Sequence, residues 1–192
     1  MAKNMIVGIT GASGAIYGYM LIKALLELGF RVDAVITRAA EKVLAYEGGS
    51  FLGSGLASLG TELKLHAIDD LFSPLASGSY PVLGMAVVPC SMNTLGLVAN
   101  GIGDSLLARA AQVTLKEKRP LILVPREMPY SIIHLENMLR LARAGAVILP
   151  ASPGFYHHPQ TITDLVNHVI GRVLDQLGIE HQLYQRWQGV QD

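Results

Sequence analysis

One cysteine in 192 residues, Cys90, excludes an internal disulfide framework and a cysteine-built zinc cluster, and fits a reducing compartment. Net charge is missing as well: 15 Lys and Arg balance 15 Asp and Glu. No global field would therefore gather nucleic acid or an acidic membrane, and any anion site must be local. No apolar run approaches the roughly 20 residues of a membrane-spanning helix. The N-terminus has a single lysine before a strand-length apolar run that ends in glycines, which is not signal-peptide anatomy, so cytoplasm is the expected address. What is abundant is apolar material, 51% of the chain, enough for one sizeable core, and residues 1–192 read as one domain. With charged residues at only 16%, apolar surface should remain after folding, and subunit contacts are expected to cover it.

The hydrophobic pattern predicts an α/β fold with a doubly wound, Rossmann-like parallel sheet. Met5 to Thr10 reads as a strand, and the helical spacing of Ile16, Met20, Ala24, Leu25 and Leu28 runs until Gly29. Val32 to Ile36 and a helix from Ala39 to Tyr46 complete a βαβα opening, with right-handed crossovers. Gly48 to Gly60 reads as loop and Leu63 to Ile68 as a weaker strand. Met85 to Val88, Leu121 to Val124 and Val147 to Leu149 each run into a proline, which is expected to end the ladder. Helical patterns cover Thr94–Val98, Leu106–Lys116, Ile132–Ala144 and Ile162–Leu177, and from about residue 179 a polar tail containing Trp187 is expected to contact a neighbouring subunit.

Ligands of open α/β sheets bind beyond the carboxyl ends of the strands, so the loops after each strand carry the chemistry. The first, Thr10-Gly11-Ala12-Ser13-Gly14-Ala15, combines glycines with a helix start, and with Gly8 and Gly18 it suggests a phosphate on free helix amides. A tight turn with no ligand is the alternative. After the second strand, Thr37 and Arg38 stand where a nicotinamide enzyme carries an acidic residue, which favours FMN; Thr37 could equally cap the next helix. Tyr19 and Lys23 imitate a Tyr-x-x-x-Lys pair but lie too early in the chain. Pro89-Cys90-Ser91-Met92-Asn93-Thr94 offers neutral hydrogen-bonding groups suited to a flavin edge, with Cys90 as packing and one residue as a cap. In Val124-Pro125-Arg126-Glu127-Met128-Pro129 a cation and a carboxylate can bind phosphate and move a proton, or simply pair. Gly154-Phe155-Tyr156-His157-His158-Pro159 adds an aromatic wall, which Arg172 could reach. Adjacent His157 and His158 lack metal-ligand spacing, so no metal is expected.

The strings TGASGAIYG, PCSMNT, LKEKRPLILVPREMP and AVILPASPGFYHHPQ, in this order over essentially the whole chain, resemble the UbiX/Pad family of flavin prenyltransferases. That resemblance implies a flavoprotein that transfers a dimethylallyl group from dimethylallyl monophosphate to reduced FMN. The product would be prenylated FMN, destined for a UbiD-type decarboxylase, and the assembly a dodecamer. It implies flavin contacts at Gly11, Ala12, Ser13, Thr37, Ser91, Met92, Asn93, Thr94 and Arg126. Lys116, Tyr156 and Arg172, with Arg109 as a fourth member, would form the prenyl-phosphate site. Glu127 would exchange a proton, and Ser13 and Glu47 complete the catalytic set. Asp69-Asp70 lacks the spacing of magnesium-binding aspartates, so Lys116, Arg126 and Arg172 would stabilise the leaving phosphate without metal. Tyr156 and Trp187 would supply π surface to an allylic cation. The competing readings are a flavin-dependent cysteine decarboxylase, an aromatic-acid decarboxylase and a non-catalytic FMN carrier.

Overall fold

The computed structural model describes residues 3–48 and 55–189. Six parallel strands form one sheet in the order β3-β2-β1-β4-β5-β6. They are β1 (Asn4–Ile9), β2 (Arg31–Ile36), β3 (Leu63–His66), β4 (Gly84–Cys90), β5 (Leu121–Pro125) and β6 (Val147–Ile148). The helices are α1 (Ala15–Glu27), α2 (Arg38–Glu47), α3 (Met92–Ala99), α4 (Leu106–Lys116), α5 (Ile132–Arg143) and α6 (Ile162–Gln176). Among the described residues no helix is long and apolar enough to cross a membrane.

Side chains alternate across a strand, and the apolar strands consequently feed two cores. Met5, Val7 and Ile9 of β1, Ala86 and Val88 of β4, and Ile122 and Val124 of β5 pack under α1 and α6. Ile6, Met85, Val87, Leu121 and Leu123 pack on the opposite face under α3, α4 and α5. Burying a side chain of this size contributes about 1.5–3 kcal/mol, so a sheet covered on both faces needs strands that are apolar throughout. Gly18 lets α1 lie close to the sheet, since a Cβ there would stand 2.4 Å from the Val88 carbonyl oxygen.

Three expectations change. The ladder does not stop at Val88 or Val124: β4 and β5 continue through Pro89 and Pro125, with Cys90 paired to Pro125 after a register irregularity. Proline is tolerated there because its missing N–H falls at a bulge, where a donor is not required. The Gly48–Gly60 loop contains a 3-10 turn at Leu56–Leu59, and residues 49–54 of that expectation lie outside the described residues. The segment after Gly178 is not a solvated polar tail. Ile179 and Leu183 join the α1/α6 core, and Asp175 of α6 accepts hydrogen bonds from Arg172 (2.8 Å), Tyr184 (2.7 Å), His181 (3.1 Å) and Arg186 (2.6 Å).

A second polar hub lies toward the N-terminal edge of the sheet. Buried Asp33 of β2 accepts from Asn4 (2.8 Å) and Tyr80 (3.0 Å), and its other oxygen meets His66 at 2.7 Å. It ties β1, β2, β3 and the segment leading to β4 together.

Candidate active site

The strand order reverses between β1 and β4, where β2 lies to one side of β1 and β4 to the other. Loops leaving the sheet there diverge, and the crevice between them is the expected ligand position. Thr10, fully buried, joins the two loops: its hydroxyl donates to the Pro89 carbonyl (2.7 Å) and accepts from the Ser91 amide (2.7 Å). The sequence contained this threonine in the glycine loop, but nothing in its spacing disclosed that it bridges to β4.

The amides at the start of α1 are not free. Glu47, at the end of α2, accepts from Gly14 N (2.8 Å) and Ala15 N (3.1 Å) through one carboxylate oxygen. A protein carboxylate thus engages the Gly14 and Ala15 amides, because a helix N-terminus favours negative charge. Partial burial would raise the Glu47 pKa, but hydrogen bonds from Ser13, Gly14 and Ala15 and the nearby Arg126 guanidinium bring it below the usual carboxylate range. The glycines also have packing roles. Gly11 abuts α2, where a Cβ on it would stand 2.5 Å from the Ala39 Cβ, and Gly14 adopts φ +96°, which only glycine takes readily. Ala12 is buried and Ser13 exposed.

Arg126 reaches this corner from the end of β5, its Nε donating to the Ser13 carbonyl at 3.1 Å. Among the described residues its two terminal NH2 groups make no hydrogen bond, and Glu127 does not pair with it; one Glu127 carboxylate oxygen accepts from Met128 N at 3.1 Å. The structural ion pair considered for these two residues is thus not formed.

Ser91 caps α3, accepting from Thr94 N (3.3 Å) and donating to the Thr94 hydroxyl (3.2 Å). Thr37 caps α2 by accepting from Ala40 N at 3.2 Å, the alternative left open for it. Met92 leans on the α3/α4/α5 core, while exposed Asn93 has no hydrogen-bond partner among the described residues. Cys90 is fully buried, and burial pushes its thiol up to about 12, so it is packing and not a nucleophile.

Tyr156, in the loop after β6, and Arg172, on α6, form a cluster at the β6 edge of the sheet. Arg172 lines a cleft of about 350 Å³ with Pro150, Ser152 and His168, and donates to Asp175. Trp187 meets Tyr156 edge-on within the same chain, ring centroids 5.9 Å apart, so its ring contact is internal. His168, Asp175, His181, Tyr184 and Arg186 belong to this cluster and were missed, because each is a lone polar residue on a helix or tail without a motif.

Lys116 and Arg109 are not brought to either place. Lys116 ends α4 beside Glu117 and the Gly78 loop, near the N-terminal end of β5, whereas Arg126 follows its C-terminal end. Strand β5, five residues and about 16 Å long at ~3.3 Å per residue, lies between the two positions. Arg109 donates to the Ala76 carbonyl at 3.3 Å. Within one chain Lys116 is thus not grouped with Arg126 and Arg172.

Two other features look chemical and are not. Asp33, His66 and Ser73 line up with separations of 2.7 and 2.9 Å, but all three are buried, and Ser73 also caps the turn at Leu75. No ester could reach that hydroxyl. A cleft of about 600 Å³ between Lys3, Arg31, Glu62 and Tyr80 lies at the N-terminal edge, away from the strand ends where the loops diverge. Among the described residues no group of three or more His, Cys, Asp or Glu side chains could hold a metal.

The sequence profile of the Flavoprotein family matches residues 1–174. A protein of Aquifex aeolicus named flavin prenyltransferase UbiX is 52% identical over 183 residues, covering 94% of this chain and 96% of its own length. The crystal structure of AnUbiX (PadA1) in complex with FMN and dimethylallyl pyrophosphate superposes with a TM-score of 0.94 at 40% identity, over 100% of both chains. A dodecameric FMN-dependent UbiX-like decarboxylase from Escherichia coli O157:H7 superposes with a TM-score of 0.90 at 44% identity, covering 97% of this chain and 100% of that one. With near-complete coverage in both sequence and structure, the chain belongs to the UbiX family of flavin prenyltransferases within the flavoproteins.

Proposed function

We propose that this protein transfers a dimethylallyl group from dimethylallyl monophosphate to reduced FMN, without a metal, giving prenylated FMN for a UbiD-type decarboxylase. The observation that carries this reading is Arg126, held through Nε on the Ser13 carbonyl with its outer guanidinium donors unspent beside the β1–β4 crevice. The crevice residues fit a flavin: the unpartnered Asn93 amide, the Ser91 and Thr94 hydroxyls, Thr37, and the close backbone of Gly11, Ala12 and Ser13 are neutral groups that hydrogen-bond a polar heterocycle and its side chain. A bound reduced flavin supplies the electron-rich acceptor for the prenyl group.

The protein's part is electrostatic. As the allylic carbon–oxygen bond breaks, its electron pair leaves with the phosphate, and Arg126, Arg172 and Lys116 stabilise that charge. Tyr156 and Trp187 offer aromatic surface to the allylic cation and exclude water from it. Bond formation to the flavin releases a proton, which passes to the departing phosphate or to Glu127, whose second carboxylate oxygen is not engaged.

Because one chain holds Lys116 and Arg126 at opposite ends of β5, this reading takes Lys116 from another copy. The outer side of α5 supports such an assembly: Ile132, Ile133, Leu135 and Leu139 are all more than half exposed, an apolar stripe that association would cover. A dodecamer is the form this reading adopts.

The test is anaerobic incubation with reduced FMN and dimethylallyl monophosphate, followed by mass measurement of the extracted flavin. A gain of one isoprene unit, unchanged by a chelator, is the expected result. Unmodified flavin beside bound prenyl phosphate would establish a carrier instead. Loss of carbon dioxide from a peptide C-terminal cysteine would establish a decarboxylase, a reading that the Pro125-Arg126-Glu127-Met128 segment disfavours because it presents a phosphate-binding cation.

A further inference from the structure

His168 of α6 is a buried imidazole to which the chemistry above gives no task, yet its two ring nitrogens are both committed. Nδ1 accepts from the Gly154 backbone N–H at 3.3 Å. A backbone N–H can only donate, so Nδ1 bears a lone pair, and in the neutral ring the proton resides on Nε2. Nε2 lies 3.1 Å from the Tyr156 hydroxyl oxygen. With the tautomer fixed from the other side of the ring, Nε2–H must donate and the phenol oxygen must accept. The phenol's own proton is then left to point at another acceptor.

The ring is held in this orientation from several sides. His157 stacks on it, centroids 4.9 Å apart and planes 7° from parallel, and Tyr184 of the C-terminal segment tilts against it at 4.9 Å. The Tyr156 ring meets it edge-on at 5.5 Å. We infer that His168 is a positioning residue which, as the Nε2–H tautomer, sets the rotation of the Tyr156 hydroxyl so that its proton is presented to a phosphate oxygen. This rests on the reading of Tyr156 as part of the prenyl-phosphate site.

The surroundings favour the neutral ring that this arrangement needs. Burial holds the His168 pKa below the ordinary histidine value, aided by His157 from the 154–158 loop and Arg172 from α6, and opposed by Asp175. Tyr156 and Tyr184 are the other titratable groups against the ring. Protonation would set an Nδ1–H against the Gly154 N–H, two donors facing each other, and release the loop. The orienting state should therefore persist as pH falls through the usual histidine range and fail only below it.

The experiment is calorimetric titration of FMN-loaded protein with dimethylallyl monophosphate, and with inorganic phosphate as a second probe, from neutral pH to below the usual histidine range. His168→Phe keeps a buried ring but removes both hydrogen bonds. It should weaken prenyl-phosphate binding about three- to tenfold, the value of one hydrogen bond, and leave FMN affinity unchanged. His168→Gln, which can again donate to Tyr156, should recover most of the loss. Combined with Tyr156→Phe, His168→Phe should cost nothing further. The acid weakening specific to His168 should vanish in both single Phe variants, leaving only the phosphate's own ionisation near pH ~6. Additive losses, or a His168→Phe variant that binds as the parent does, would overturn the assignment while leaving the prenyl-phosphate site intact. Failure of the parent to bind either probe would instead remove the site itself, and with it this role. Independently of any variant, nitrogen-15 NMR of histidine-labelled protein must show the Nε2–H tautomer; an Nδ1–H ring refutes the proposal.

Discussion

Replacing Thr10 by valine removes one oxygen atom from the joint between the β1 and β4 loops and little else, since the two side chains have nearly the same shape. Two hydrogen bonds disappear, each 2.7 Å long in the parent. The Pro89 carbonyl retains the Thr10 amide at 3.2 Å, so on that side only one net hydrogen bond is lost, about 0.5–1.5 kcal/mol. The Ser91 amide is left without a partner, which costs about 1–3 kcal/mol. The expected destabilisation is thus about 1.5–4.5 kcal/mol, or roughly 3–18 °C in Tm for a chain of this length. Ser91 and Thr94 lose their anchor, and FMN binding should weaken at least about fivefold through poorer hydrogen bonds to it. Thr10→Ser keeps the hydroxyl and serves as control. Thermal denaturation at fixed protein concentration and fluorescence titration with FMN measure both effects. If Thr10→Val melts within a degree or two of the parent and binds FMN equally well, the joint is not what holds the crevice.

Other expected outcomes follow from the same geometry. Asp175 would be raised by burial, but hydrogen bonds from Arg186, Tyr184 and His181 bring it down to about 2. Its stabilising contribution, about 2 kcal/mol, is complete above the unfolded carboxylate value and drains away as pH falls from ~4 toward 2; Asp175→Asn should abolish that part of the acid titration in equilibrium unfolding. Glu47→Ala frees the Gly14 and Ala15 amides and should lower stability by about 1 kcal/mol, with added sulfate restoring more Tm to the variant than to the parent; equal responses would mean the carboxylate is not occupying an anion site. Glu127→Gln should bind FMN normally and slow prenyl transfer, and full activity would exclude it from proton transfer. Mixed oligomers of inactive Lys116→Ala and Arg126→Ala chains should regain activity at about one quarter of sites if Lys116 is supplied by a neighbour, whereas no recovery would show that both act within one chain.

The strands and helices were legible because their signals are local: Leu106–Lys116 is bounded as its spacing predicts, and the apolar strands announce a sheet covered on both sides. Pro89 misled because proline forbids a donor but not a rung that needs none, and whether a rung needs one depends on the neighbouring strand. The loops of the candidate site could be found from their positions after strands, yet not the internal duties of their members. Capping was an open alternative for Thr37 and was expected of one unspecified residue in the loop that holds Ser91, while the capture of the α1 amides by Glu47 joins residues 33 apart in sequence and leaves no local trace. Lys116 shows the limit most clearly: a motif reports that a residue matters, but not that the fold holds it at the far end of the sheet.

Asp33 fastens three strands and the approach to a fourth at the end of the sheet opposite the β1–β4 crevice. Rigidity is concentrated there, and the opposite rim can change its side chains without the strands losing alignment. Substitutions around Asp33 should consequently be felt as lower yield or melting temperature with an unaltered choice of ligand, and those at the opposite rim as altered choice on an equally robust scaffold.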